Sequence, residues 1–256
     1  MADLDGRFAL VTGASRGLGE AAARALAAAG AKVAVTDLAA PLDLAAEIGG
    51  IARAQDVTSE TGWDETISWI RAEFGGLDVL VNNAGLWLFR LITETSLDDW
   101  RRLHTVNVEG VFLGTRAAIP LLAERAHLWR GGTSIVNMSS VAGIEGAAGA
   151  TCYNSTKGAV RLFTKGCAKE LAASRIRVNS IHPGVIDTAM GRNLIDDFAG
   201  ALGVGNNESL NNVAALHPLG HLGEAQDVAN AVVYLASDRA AFSTGSELVV
   251  DGGFTA

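Results

Sequence analysis

Phe8-Ala9-Leu10-Val11-Thr12-Gly13-Ala14-Ser15-Arg16-Gly17-Leu18-Gly19 reads as a strand, a glycine turn and the opening of a helix. The apolar run from Phe8 to Thr12 has strand length. An alanine-rich helical stretch follows, from about Leu18 to Ala29, and stops at Gly30, a natural C′ residue. Glycines serve where φ is positive or where backbone must come close to a phosphate. The helix N-terminus behind them offers free N–H groups and a partial positive charge, so a pyrophosphate fits there. The spacing is G-x-x-x-G-x-G and not the G-x-G-x-x-G of the dinucleotide fingerprint. Taken alone, the loop is therefore also compatible with a plain turn.

Outward from this unit, short apolar runs alternate with amphipathic stretches. Strands are expected at Phe8 to Thr12, Lys32 to Asp37, Ile51 to Gln55, Val79 to Asn82, Ser134 to Ser139, Arg177 to His182 and Glu247 to Val250, with helices in most gaps. This is the pattern of an α/β, Rossmann-like doubly wound domain: a seven-stranded parallel sheet with helices on both faces. With 256 residues, 49% hydrophobic and 19% charged, one domain over 1–256 accounts for the chain. Repeats, low-complexity tracts and linkers are missing. Glycines, asparagines and Pro218 break up the helical patches of 188–223, which reads as a mobile substrate flap.

A net charge of −8 and a pI near 5.1 argue against nucleic acid or an anionic membrane as partner and leave small molecules. No uninterrupted apolar run is of bilayer length, and the N-terminus lacks the basic start and apolar stretch of a signal peptide. Cys152 and Cys167 are too few for a disulfide framework or a zinc site. A cytoplasmic protein is expected.

Ligands of open α/β sheets sit beyond the carboxyl ends of the strands. Asp37 closes the second strand, where a carboxylate accepts hydrogen bonds from both adenosine ribose hydroxyls and repels a 2′-phosphate, which favours NAD. Arg16 dissents, because a basic residue there can pair with that phosphate; its other reading is a solvated arginine on the pyrophosphate side. Tyr153 and Lys157 stand four apart, on one face if the stretch is helical. An ammonium beside a phenol favours the phenolate, which makes Tyr153 a usable general acid and base.

Five motifs in order resemble the short-chain dehydrogenase/reductase family, over Leu4 to Gly253: the glycine loop from Thr12 to Gly19, Asn82-Asn83-Ala84-Gly85, Asn107, Ser140 with Tyr153 and Lys157, and Pro183-Gly184 after Ile176-Arg177-Val178-Asn179. The resemblance implies NAD-dependent, reversible oxidation of a secondary alcohol to a ketone, with Asn107, Ser140, Tyr153 and Lys157 as the catalytic set. It implies a cofactor held by Gly13, Ser15, Arg16, Gly17, Leu18 and Gly19, by Asp37, and by Asp56 and Val57 at the adenine. Asn83, Ala84 and Gly85 would lie along the ribose, Tyr153 and Lys157 at the nicotinamide end, and Pro183, Gly184, Val185 and Ile186 behind the ring. Thr188 would bind the carboxamide. Asn82 would tie the sheet together, and Asn107 would open a helix backbone to seat a water beside Lys157. A homotetramer is implied too, with the helix carrying Tyr153 packing a symmetry mate through Gly158, Ala159, Val160, Phe163, Cys167 and Leu171.

Adjacent strand residues face opposite ways, so Ser139 and Ser140 cannot both meet the substrate; the family spacing selects Ser140 and leaves Ser139 structural. A mainly apolar pocket is expected from Leu86, Trp87, Val141, Ala142, Ile144, Met190 and Leu194. It suits a bulky or alicyclic substrate, with Glu145 as polar handle or solvated rim charge. Trp87 also reads as a core or interface residue, as do Trp63, Trp69, Trp100 and Trp129. His182 reads as packed. His217 and His221 are four apart, but Pro218 and Gly220 deny them a metal-binding helix, so no metal is expected. Two other classes remain: a 3-oxoacyl thioester reductase using NADPH, against which Asp37 counts, and a non-catalytic NAD-sensing protein, which would typically have lost the tyrosine or lysine.

Overall fold

The computed structural model describes residues 3–256. Its elements run β1 (Phe8–Thr12), α1 (Gly17–Ala28), β2 (Lys32–Asp37), α2 (Leu42–Ile48), β3 (Ile51–Ala54), α3 (Glu60–Phe74), β4 (Val79–Asn82), α4 (Leu97–His104), α5 (Gly110–Arg125), β5 (Thr133–Met138), α6 (Thr151–Leu171), β6 (Ile176–Pro183), α7 (Ala189–Leu202), α8 (Asn206–Ala215), α9 (Ala225–Ala236) and β7 (Glu247–Val250). The strands form one parallel sheet in the order β3-β2-β1-β4-β5-β6-β7.

The strands are apolar on both faces because helices cover both. On β1, Ala9 and Val11 point one way and Leu10 the other. The first side joins Val33, Val35, Val79 and Val81 to Ala22 and Leu26 of α1 and to Val228 and Val232 of α9. The second joins Leu80, Ile135 and Val178 to Trp63 and Ile70 of α3 and to Leu121 and Leu122 of α5. The expected doubly wound α/β sheet is thus the observed one. Strand ends shift slightly: β3 stops at Ala54, β5 spans Thr133–Met138 and β6 spans Ile176–Pro183, since ladder hydrogen bonds from neighbours set the limits. Ala29 caps α1 and Gly30 follows at φ +100°.

Two segments are more continuous than the sequence reading had them. The segment 188–223 is largely helical, as α7 and α8. Gly203 is a left-handed C-cap and Gly205 precedes α8, while Asn211 and Asn212 lie inside α8. A bridge between Ile186 and Gly223 pinches the base of this excursion. Secondly, α4, a π-helical turn at Thr105–Glu109 and α5 run on without interruption. The rod Leu97–Leu128 is long and apolar enough by composition to cross a bilayer, with Glu109, Arg116, Glu124 and Arg125 interrupting its apolar run. Its apolar content has an internal use, because Leu121 and Leu122 are fully buried under the sheet.

Candidate active site

The order of the strands opens the site. The helix after β1 covers one face of the sheet and α5, after β4, the other, so the two adjacent loops diverge and leave a crevice at the carboxyl edge. The crevice is a cleft of about 1150 Å³.

One arm is built from the glycine loop. Gly13 has φ +63°, and a Cβ there would lie 2.7 Å from the Ala84 Cα. The Asn83 amide closes the turn by donating to the Thr12 and Gly13 carbonyls at 2.9 and 3.0 Å. Gly19 is buried against that turn, behind the cleft wall. Arg16 precedes α1 in extended conformation and supplies no side-chain cap, so the first-turn N–H groups remain available to an anion. Asp37 reaches the same arm from β2, its two oxygens accepting the Ser15 and Leu38 N–H groups at 3.0 and 2.8 Å. Arg16, Gly17, Leu18, Asp37, Asp56, Val57, Asn83, Ala84, Gly85, Pro183, Gly184, Val185, Ile186 and Thr188 all line the cleft. Ser15 and Gly19 stand outside its wall. A glycine cradle that a Cβ would fill, an uncapped helix N-terminus and a carboxylate at the next strand end fit a nicotinamide dinucleotide.

The second group gathers where β5, α6 and β6 meet. Tyr153 and Lys157 occupy successive turns of α6, the Lys157 Nζ lying 5.6 Å from the tyrosine ring centroid. That ammonium donates to the Met138 carbonyl at 2.8 Å. Ser140 follows β5, and its Oγ accepts the Ala142 N–H at 3.1 Å. Ser139 Oγ donates to the Lys157 carbonyl at 2.9 Å. His182 is packed: its ring nitrogens meet the Ser140 carbonyl at 3.0 Å and Ser180 Oγ at 2.8 Å, and burial lowers its pKa.

Burial pushes the Tyr153 phenol up to about 12, with a Ser140 hydrogen bond pulling the other way. Burial also pushes the Lys157 ammonium down to about 8. Desolvation opposes the charged form of each. Among the protein's own groups, desolvation is the larger effect on both.

Asn107 lies buried in the π-helical turn, behind the cleft. Its Oδ1 accepts the Leu86 N–H at 2.7 Å, and its Nδ2 donates to the Leu86 carbonyl at 2.9 Å and to Thr156 Oγ1 at 3.2 Å. Single π turns recur at functional sites. Asn82 donates to Asn137 Oδ1 at 2.9 Å and to Thr115 Oγ1 at 3.2 Å, tying β4 to β5 and α5.

The other arm is apolar. Leu86, Trp87, Val141, Ala142, Met190 and Leu194 line it as expected, with Glu145 exposed at the rim. Ile144 does not reach the cleft. His217 is engaged elsewhere, its Nε2 accepting the Val185 N–H at 3.1 Å and its Nδ1 lying 3.0 Å from the Val213 carbonyl.

Comparison with known proteins supplies the family. A family model described as Enoyl-(Acyl carrier protein) reductase matches residues 13–255. A cyclopentanol dehydrogenase of Comamonas sp. is 43% identical, with all of both chains aligned. The chain belongs to the short-chain dehydrogenase/reductase family. Another relative is the NADP-dependent (R)-specific alcohol dehydrogenase of Lentilactobacillus kefiri, 39% identical over 99% of this chain and 98% of that one. Among solved structures, ligand-free Thermoplasma acidophilum aldohexose dehydrogenase superposes with a TM-score of 0.89 at 33% identity, covering 99% of this chain and 96% of that one. Membership places the chain among oxidoreductases that use nicotinamide cofactors.

This short-chain dehydrogenase also recruits cleft residues that the sequence did not single out. Arg101, Arg102 and Thr105 arrive from the α4 rod, Asn193 and Phe198 from α7, Val213 and Leu216 at α8, and Phe254 from the C-terminal turn. None sits in a motif, and only the folding of distant segments onto the carboxyl edge brings them in. Trp87 resolves toward the pocket: it lines the cleft and meets Tyr153 edge-on, ring centroids 4.9 Å apart at 73°.

Proposed function

We propose that the protein catalyses the reversible NAD-dependent oxidation of secondary alcohols to ketones, and that bulky or alicyclic substrates suit it best. The observation that carries this reading is the placement of Tyr153, with Ser140 and Lys157, between a dinucleotide cradle and an apolar arm of one cleft. A bound dinucleotide supplies the hydride acceptor. Tyr153 takes the hydroxyl proton in oxidation and returns it in reduction, while Ser140 hydrogen-bonds the same oxygen and stabilises its developing charge. Because burial alone keeps the phenol protonated, positive charge near it is needed to reach the phenolate, and Lys157 is the cation within reach. Asn107 and its widened helical turn support a proton exit past Lys157.

NAD is favoured by Asp37. Like charges about 4 Å apart cost on the order of 4 kcal/mol at an effective dielectric near 20, so a 2′-phosphate there is disfavoured even if half of that is screened. No cation pairs with Asp37 among the described residues. Arg16 in the same arm and the NADP-dependent relative mark the alternative. The cyclopentanol dehydrogenase relative supports the alicyclic choice.

A homotetramer completes the reading. The outer side of α6 is open at Gly158 and Gly166, Leu162 stands 68% exposed, and the half-exposed Phe112 of α5 meets Phe163 of α6 edge-on. Val160 is buried inward and Cys167 and Leu171 pack on the core, so the contact face is narrower than expected from sequence.

The test is reduced-nicotinamide absorbance on mixing the protein with NAD or NADP and a panel of cyclopentanol, cyclohexanol and linear secondary alcohols. Turnover with NAD and cyclic alcohols is expected. Tight NAD binding with no turnover of any alcohol or ketone would favour the sensor instead.

A further inference from the structure

Trp87 does more than line the pocket. Its backbone neighbour Leu86 is held by both functional groups of the Asn107 amide, so the indole leaves a fixed point beside the catalytic group. The indole and the Tyr153 ring meet in a T-shaped contact. Its Nε1–H donates to the Asp197 Oδ2 of α7 at 2.8 Å. Asp197 is half-buried and has no cationic partner among the described residues. It is not part of the cleft wall, although Leu194 and Phe198 on the same helix are.

A second contact lies alongside. Phe89 of the same loop packs edge-on against Phe198, ring centroids 5.3 Å apart. Otherwise α7 packs mainly on α8, and the whole excursion is joined to the sheet at its pinched base. The 86–90 loop is therefore what fastens α7 across the apolar arm, and the residue that makes the polar fastening is the one that abuts Tyr153.

Resting on the reading of Tyr153 as acid and base, we propose that Asp197 is a positioning residue: its carboxylate fixes the Trp87 indole, which holds the Tyr153 ring toward Ser140 while α7 covers the substrate. A charge-assisted hydrogen bond of this kind is directional, and a perpendicular ring edge blocks the tyrosine from swinging away. Covering the substrate and aligning the acid–base group thus become one event.

The test is a double-mutant cycle with cyclopentanol and NAD. Asp197→Ala and Trp87→Phe, the second keeping a ring but losing the N–H, should each lower kcat/KM by about 10-fold, as for a lost hydrogen bond to a charged group. The double variant should lose no more than either alone. Asp197→Asn, whose amide oxygen still accepts, should recover most of the activity, and NAD affinity should stay within about twofold of wild type. The acidic limb of the kcat/KM profile for cyclopentanol oxidation, where Tyr153 must be deprotonated, should move to higher pH in the Ala and Phe variants, because a tyrosine released from Ser140 loses the hydrogen bond that lowers its pKa. A readout independent of turnover is fluorine NMR of 5-fluorotryptophan-labelled protein: the signal missing in Trp87→Phe should shift in Asp197→Ala. Unchanged kinetics, additive losses or an unmoved Trp87 signal would overturn the latch. Full turnover by Tyr153→Phe would overturn the underlying reading instead.

Discussion

Lys157→Met should make the protein more stable and nearly inactive. The Lys157 ammonium is pushed from its ordinary 10.5 down to about 8 by burial, so folding desolvates a charge. A group lowered over that interval costs about 3 kcal/mol while protonated in both folded and unfolded states, which is the situation at pH 7. The sign follows: between pH 8 and 10.5 the unfolded chain binds more protons than the native one, so wild-type stability rises with pH across this window. Tyr153, raised to about 12, acts the other way only above its unfolded value near 10. Methionine keeps the apolar stem and removes the charge, at the expense of the Nζ bond to Met138 and of about 1 to 2 kcal/mol that such a bond contributes. A net gain of about 1 to 2 kcal/mol at pH 7 follows from these two figures. The assay is urea unfolding of wild type and variant at equal protomer concentration, at pH 7 and again near pH 9.5. The difference should shrink or reverse at the higher pH as the wild type loses its buried charge. A variant less stable than wild type by the same margin at both pH values would refute the reasoning.

Three further outcomes are expected. Asp37→Ala should weaken NAD binding and raise relative activity with NADP about tenfold or more, since at least half of a roughly 4 kcal/mol repulsion is removed; steady-state kinetics with both cofactors check this, and a wild type that already prefers NADPH would show that Arg16 outweighs Asp37. Glu145→Gln should raise the KM for cationic or polyhydroxylated ketones and spare plain cyclic ketones; equal effects on both, or none, would make Glu145 a rim charge. Sedimentation should report four chains of 26.5 kDa, and a Leu162→Glu change on the exposed side of α6 should dissociate them; a monomeric wild type would reject the tetramer.

The legible parts of this molecule are those with a local cause. The glycine loop could be read because positive φ at Gly13 and Gly17 and an uncapped helix start are properties of adjacent residues. The strands were legible because a parallel sheet buried on both faces makes continuous apolar runs. Asp37, Tyr153 and Lys157 were found because strand-end position and helical spacing fix where a side chain goes, and Ser140 by its family spacing from Tyr153. Other features depend on long-range assembly. Desolvation of Tyr153 and Lys157 comes from everything packed around α6, so its direction could not be read from the ammonium–phenol spacing. Phe198, Leu216 and Phe254 enter the cleft from α7, the end of α8 and the C-terminal turn, and the Trp87 bond to Asp197 spans 110 residues. Helical patches were legible in 188–223, but the extents of α7 and α8 were not, because Gly203, Gly205 and Asn206 look like loop formers until they are seen at helix ends.

The most direct test of the central claim is the initial rate of NAD reduction with cyclopentanol, measured at saturating NAD for wild type and Tyr153→Phe, with NAD affinity followed by tryptophan fluorescence. The proposed chemistry requires turnover by the wild type, a loss of about 100-fold or more in the variant as for a positioned general base, and unchanged NAD affinity within a few-fold. Turnover in the variant close to that of the wild type would contradict it.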